Sequence, residues 1–208
     1  MTRDAKSFGR ISGRFKAQPT VLVICEDSKS NKKYLEDAAH WFRVRVKVEI
    51  EFCGNTDPLG IVRAGIQRQR EFDKVFCEID RDEHENFDQA VNVAEAHEKL
   101  SLIVSHPCFE FWYLLHFKDT RKAYARAGDK SPADVLLADL KKIKGLEKYT
   151  KSGKARIFDS LFPNFQEARA RSKRIFQRAH EEKCANPSTN LHILFDSFEE
   201  LAVLRPVR

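Results

Sequence analysis

Three carboxylates, Glu26, Asp80 and Asp82, stand directly behind apolar runs of the chain. Glu26 closes "TVLVIC" (20–25), Asp80 closes "KVFCEID" (74–80), and Asp82 lies two residues beyond it. Acids brought close together repel, and each raises the other's pKa unless a cation joins them. Their hard oxygen donors suit Mg2+ or Mn2+ rather than Zn2+. A Mg2+ ion takes one or two carboxylates and leaves the rest of its shell to water and substrate phosphate. Each acid also has a plainer reading. An Asp pair after a strand bonds its own backbone in a turn, and an acid ahead of a helix stabilises the macrodipole. Together, behind two apolar runs, the three point to a metal site.

For these acids to meet, the runs before them must be neighbouring strands. Residues 20–25 are continuous, apolar and rich in β-branched side chains, which fits a buried strand. "SKSNKKYLEDAAHWF" reads as a helix, with Ser28 or Ser30 as its N-cap. "VRVKVEIEF" (44–52) alternates apolar and charged residues, the pattern of a half-buried strand at a sheet edge. Helices over 58–72 and 87–100 and strands over 74–80 and 101–107 continue the order, and "CFEFWYLLHF" (108–117) reads as a buried helix. Alternation of this kind gives an α/β fold with a mostly parallel sheet flanked by helices. Its crevice lies at the carboxyl ends of the strands, where all three acids fall. Three regions follow: a basic arm over 1–19, a core over 20–118, and a helical extension over 119–208 packed on that core.

Composition narrows the setting. The chain of 208 residues is 42% hydrophobic and 33% charged, enough apolar material for a core and too much for disorder. No stretch approaches the roughly 20 apolar residues of a bilayer span, and the basic N-terminus has no apolar segment behind it to make a signal peptide. Five cysteines without zinc-like spacing read as reduced thiols, which implies the cytoplasm. A net charge of +6 fits a phosphate-rich partner. The helix "EARARSKRIFQR" gathers Arg169, Lys173 and Arg174, and Lys148, Lys151 and Lys154 form a second basic group. Each set is either a solvated face or a contact to phosphates. His84 and His106 flank the strand ends, and Tyr149 among lysines reads as a packing or surface residue.

Four ordered blocks carry a resemblance. "ICEDSKSNKKYL", "DRDEHENF", "SHPCFEFWYLLHF" and "NPSTNLHILFDSF" resemble the signature blocks of the RloB-like family, over about residues 20–200. Glu26 with Asp80-x-Asp82 resembles the acid triplet of the TOPRIM domain, found in topoisomerases, primases and OLD-family nucleases. The resemblance implies a TOPRIM-like core that cuts DNA or RNA in anti-phage defence, with an ABC-type ATPase as partner. It implies Glu26 as general acid/base and metal ligand, and Asp80 and Asp82 as ligands of Mg2+ or Mn2+. Glu110 in "PCFEFW" matches an acid of the family block, so it is either a further metal ligand or an acid facing its own helix dipole. The family pattern is closer to "CEGEKTE": here Asp27 replaces the Gly, Ser28 a Glu and Asn31 the last Glu, and His106 stands where Asn is usual. Losing two acids argues against a second metal held by this segment. A non-catalytic nucleic-acid-binding sensor or adaptor for the ATPase is the alternative. A homo-oligomer stays open, as does the choice between DNA and RNA.

Overall fold

The computed structural model describes residues 19–45, 47–81, 84–151 and 157–203. Asp82, Lys154 and the arm up to residue 18 lie outside the described residues. Four strands run parallel: β1 (Val21–Cys25), β2 (Val48–Phe52), β3 (Lys74–Asp80) and β4 (Leu100–His106). A two-residue strand, β5 (Ser188–Thr189), joins antiparallel to β4, and the sheet order is β2-β1-β3-β4-β5. The expected α/β fold, a mostly parallel sheet flanked by helices with helices at its C-terminal end, is the fold observed.

The pleat of each strand feeds two cores, because side chains alternate across a sheet. Val21, Val23, Cys25 and Phe76 pack on one face with α1 (Ser30–Trp41), α4 (Glu110–Leu115), α7 (Phe165–Glu181) and α8 (Leu191–Val203). Leu22, Ile24, Val75, Cys77 and Ile79 pack on the other with α2 (Pro58–Arg68) and α3 (Phe87–Glu95). The first core is built of rings. Trp112, Phe165 and Phe195 lie 5.0 to 5.7 Å apart by centroid, and the Trp112 indole N–H donates to the Tyr34 hydroxyl at 2.8 Å. Residues of 119–203 supply much of this core, including Leu136 of α5 (Pro132–Leu140) and Phe158 of α6 (Ile157–Leu161).

Local chemistry explains the element boundaries. Ser131 and Asp134 close a capping box at the start of α5, and Asp57 accepts from the Gly60 N–H at 2.9 Å to start α2. Neither Ser28 nor Ser30 caps α1. The Asp27 carboxylate does so, accepting from the N–H groups of Lys29 (2.6 Å) and Asn31 (3.3 Å), while Ser30 is buried inside the helix. The second strand starts at Val48 rather than Val44, because the Val48 N–H turns back to the Val44 carbonyl. Ser188 and Thr189 pair with β4, and the Thr189 hydroxyl accepts from the Leu191 N–H.

Gly65 marks the closest approach of α2 to the sheet. A Cβ there would sit 2.7 Å from Cys77 Sγ and 3.2 Å from Leu100 Cδ1. Gly65→Ala gains about 1 kcal/mol of helix propensity and meets an overpacking cost of about 1–3 kcal/mol. The expected result is a lower denaturant midpoint at unchanged slope, and a midpoint above wild type would show that α2 can move away.

Candidate metal and proton-transfer site

The site begins in the middle of β3. Glu78 and Asp80 follow Phe76 at two-residue spacing, so all three point to the same face, toward α1 and α4. Both acids are buried, Glu78 at 0% exposure and Asp80 at 3%. Glu26, half-buried, leaves β1 next to them, and the Asp80 N–H donates to Glu26 Oε2 at 2.7 Å. The Glu26 N–H in turn donates to Glu78 Oε2 at 3.2 Å, and Asn31 Nδ2 donates to the same oxygen at 3.0 Å. Backbone and side chains of two adjacent parallel strands thus hold three carboxyls at one sheet edge.

The three cannot all be ionised at ordinary cost. Burial pushes Glu26 up to about 7, against the pull of the Asp80 N–H and the Lys151 charge. Burial first and the Glu26 charge second push Glu78 up to about 8. Asp80 is raised well above the usual carboxylate range by burial, then by Glu26 and Glu78. Protons are shared across the trio, so at neutral pH it carries fewer than three charges. Two of its buried oxygens, Glu78 Oε1 and Asp80 Oδ1, have no hydrogen-bond partner among the described residues. Such orphaned acceptors are uncommon in folded proteins and mark sites that expect another group.

A fourth acid and a lysine complete the wall. Glu110, fully buried at the start of α4, accepts from the Tyr149 hydroxyl at 2.9 Å. The Lys151 ammonium lies 3.4 Å from Glu110 Oε2 as an ion pair, with its side chain 44% exposed. Burial pulls Lys151 down, but the charge of Glu110, with the neighbouring acids Asp80 and Glu26, holds it above its ordinary value. It is therefore a fixed positive charge at the mouth of the acid cluster.

These donors suit a hard cation with few protein ligands. Among the described residues, no group of three His, Cys, Asp and Glu closes a metal cage. Mg2+ needs no such cage, because one or two carboxylates and water suffice, and Asp80 Oδ1 is free for that role. Zinc is a poor fit: Cys25 and Cys108 are buried, and desolvation pushes both thiols well up, away from the thiolate form.

Of the residues singled out in the sequence, Glu26, Asp80, Glu110 and Lys151 come together here. Arg169, Lys173 and Arg174 stand elsewhere, on α7. Arg169 pairs with Asp196 (2.5 Å) and Glu199 (2.6 Å) of α8, and Arg174 pairs with Asp119. Lys173 is exposed and makes no ion pair among the described residues. His106 ends β4 with an unpartnered Nδ1; burial, then the charge of Arg81, lowers it to about 4, so it is neutral. His84 is half-buried on the loop after β3.

Two members were missed. Glu78 was read only as part of a strand, although a Glu two residues before Asp80 in an otherwise apolar strand must share its face. Tyr149 was read as packing or surface, and nothing local in "KYTK" shows that its hydroxyl reaches Glu110. Asn31, seen as a lost acid, acquires a role: a carboxylate at 31 would face Glu78, whereas the amide donates to it.

A family model described as RloB-like protein matches residues 21–198. No curated protein and no solved structure matches the chain.

Proposed function

The chain belongs to the RloB-like family, and on that premise we propose that it is a Mg2+- or Mn2+-dependent nuclease with a TOPRIM-type core. It hydrolyses phosphodiester bonds of DNA or RNA in anti-phage defence, by abortive infection, with an ABC-type ATPase as its partner. The observation that carries this reading is the trio of half-buried Glu26 with buried Glu78 and Asp80, the latter two with orphaned oxygens, at the carboxyl edge of a parallel sheet. Burying several acids without compensation costs the fold, and a bound cation removes that cost.

Asp80 and Asp82 would hold the cation, with Glu26 and Glu110 as the further acids on its rim. Bound there, Mg2+ or Mn2+ would supply charge to polarise a phosphate oxygen and acidify a water. The chain's own groups do the rest. Glu26, held near neutrality at about 7, takes or gives a proton at working pH. Glu78 holds the Glu26 backbone in place through its N–H. Lys151, fixed by Glu110, offers its charge to a phosphate oxygen. Lys154 is proposed as a phosphate contact, and Arg169, Lys173 and Arg174 would contact nucleic-acid phosphates farther out; for Arg169 and Arg174 this means exchanging an internal carboxylate for a phosphate.

The test is a cleavage assay on DNA and RNA with Mg2+ or Mn2+, run with and without the ATPase partner. Metal-dependent cleavage that disappears in Glu26→Gln is the expected result. The second reading is a non-catalytic sensor or adaptor for the ATPase. It gains if no substrate is cut even with the partner present.

A further inference from the structure

Lys151 and Tyr149 have a second side. They also line a pocket of about 550 Å3 that opens between the start of α1 and the segment 145–151, with Ile157 of α6 as its far wall. The pocket is within the size range that takes a small organic ligand, about 300–1,000 Å3. Its rim is basic. Lys29, just before α1, and Lys33 within it share the lining with Lys148 and Lys151. Glu36 and Asp37 also line it, and Glu36 turns to Lys32 at 3.8 Å, leaving a cationic excess. Lys29, Lys33 and Lys148 are exposed and make no ion pair among the described residues.

The floor is aromatic and held rigid. The Tyr149 ring meets Tyr113 edge-on at 5.7 Å and 82°, while its hydroxyl is fixed on Glu110. Ser30 lines the same pocket and neighbours Asn31, which donates to Glu78. Pocket and acid cluster are therefore two sides of one wall.

A cationic rim over an aromatic and aliphatic floor is the chemistry that binds single-stranded nucleic acid, with phosphates on lysines and a base on a ring. Bases stacked in a duplex offer only their groove edges and cannot enter a cavity of this size. We propose that this pocket takes one unstacked nucleotide of a single-stranded nucleic acid, seating its base on Tyr149 and Ile157 and its flanking phosphates on Lys29, Lys33 and Lys148. The strand then passes Lys151 on its way to the acids. This deepens the nuclease reading by naming the substrate as single-stranded, and it rests on that reading for the direction of the strand.

The experiment is binding of short fluorescent oligonucleotides in EDTA, read by anisotropy, with cleavage in Mg2+ or Mn2+ measured in parallel. Single strands, DNA or RNA, should bind more tightly than a duplex of the same length. Ile157→Trp, which fills the pocket, should weaken single-strand binding about tenfold, the scale of one stacked base. Lys33→Glu and Lys148→Glu should weaken it and flatten its dependence on salt; thermal midpoints equal to wild type confirm that the variants fold. Duplex bound as tightly as single strand, a mononucleotide bound as tightly as the oligonucleotide, or folded variants with wild-type affinity would each overturn the pocket. If single strands bind through the pocket and nothing is cut, the pocket stands and the nuclease reading falls. If cutting occurs and all pocket variants bind as wild type, the reverse holds.

Discussion

Asp80→Asn should abolish cation-dependent cleavage and make the cation-free protein more stable. The two effects have one cause. Asp80 is 3% exposed, its Oδ1 has no partner, and its pKa is raised by burial and by Glu26 and Glu78. An amide of the same shape removes the buried charge and its repulsion from two neighbours while keeping the backbone N–H that holds Glu26. Each kcal/mol released raises the thermal midpoint of a chain this size by about 2–4 °C. The same change removes an oxygen offered to the cation and so weakens charge stabilisation at the phosphate, a loss of at least about a hundredfold in rate. Opposite movement of stability and activity is the mark of a site whose strain serves function. Paired measurements of midpoint in EDTA and cleavage rate in Mg2+ decide it. A variant that cuts within a few-fold of wild type would remove Asp80 from the reaction, and a lower midpoint would show that the buried acid is structural.

The sheet was legible because β1 is fully apolar, β2 alternates apolar and charged residues, and the helices between the strands are amphipathic, so periodicity orders β1 to β4. Position followed from topology: Glu26 and Asp80 end adjacent parallel strands, and Val21 pairs with Lys74 while Ile24 pairs with Cys77. That register sets the two acids side by side. Apart from Glu78, what escaped reading depends on contacts distant in sequence. Tyr149 reaches Glu110 across 39 positions, and Ser188 and Thr189 find a strand partner at Ser105 and His106. A two-residue strand carries no periodic signal, and its pairing is decided by the helices around it. The basic helix shows the converse. Its arginines left a solvated face and a phosphate contact both open; α8 presents Asp196 and Glu199 to Arg169, and only the folded chain places those acids there.

Without divalent cation, stability should fall as pH rises from about 6.5 to 8, the reverse of what paired surface acids give. Two sets of groups oppose each other. His106, His116 and His192 are lowered to about 4, in each case mainly by burial. A depressed histidine contributes stability above its unfolded value of about 6.5 and loses it as pH drops toward 4. At pH 6.5 the unfolded rings are still half protonated, so the histidines partly offset the acids at the lower end of the window; above about 7.5 they are neutral in both states and add no slope. Glu26 and Glu78 are raised, to about 7 and about 8. A raised carboxyl contributes stability below its unfolded value and loses it as pH climbs through the folded one. Between 6.5 and 8 the acid trio is the source of the downward slope, which outweighs the fading histidine contribution. For Glu78, at 0% exposure, the loss over that window is about 2 kcal/mol, or about 4–8 °C in midpoint. Glu78→Gln should flatten the curve, and because the trio shares its protons, part of the Glu26 contribution should go with it. A midpoint independent of pH over this window, or an equal slope in Glu78→Gln, would sink the assignment. Repeating the series in Mg2+ separates burial from binding. If the trio holds a cation, Mg2+ should raise the midpoint most at pH 8, where the acids are most ionised, and least at pH 6. A magnesium effect of equal size across the range would mean that the ion stabilises the chain somewhere other than at these carboxylates.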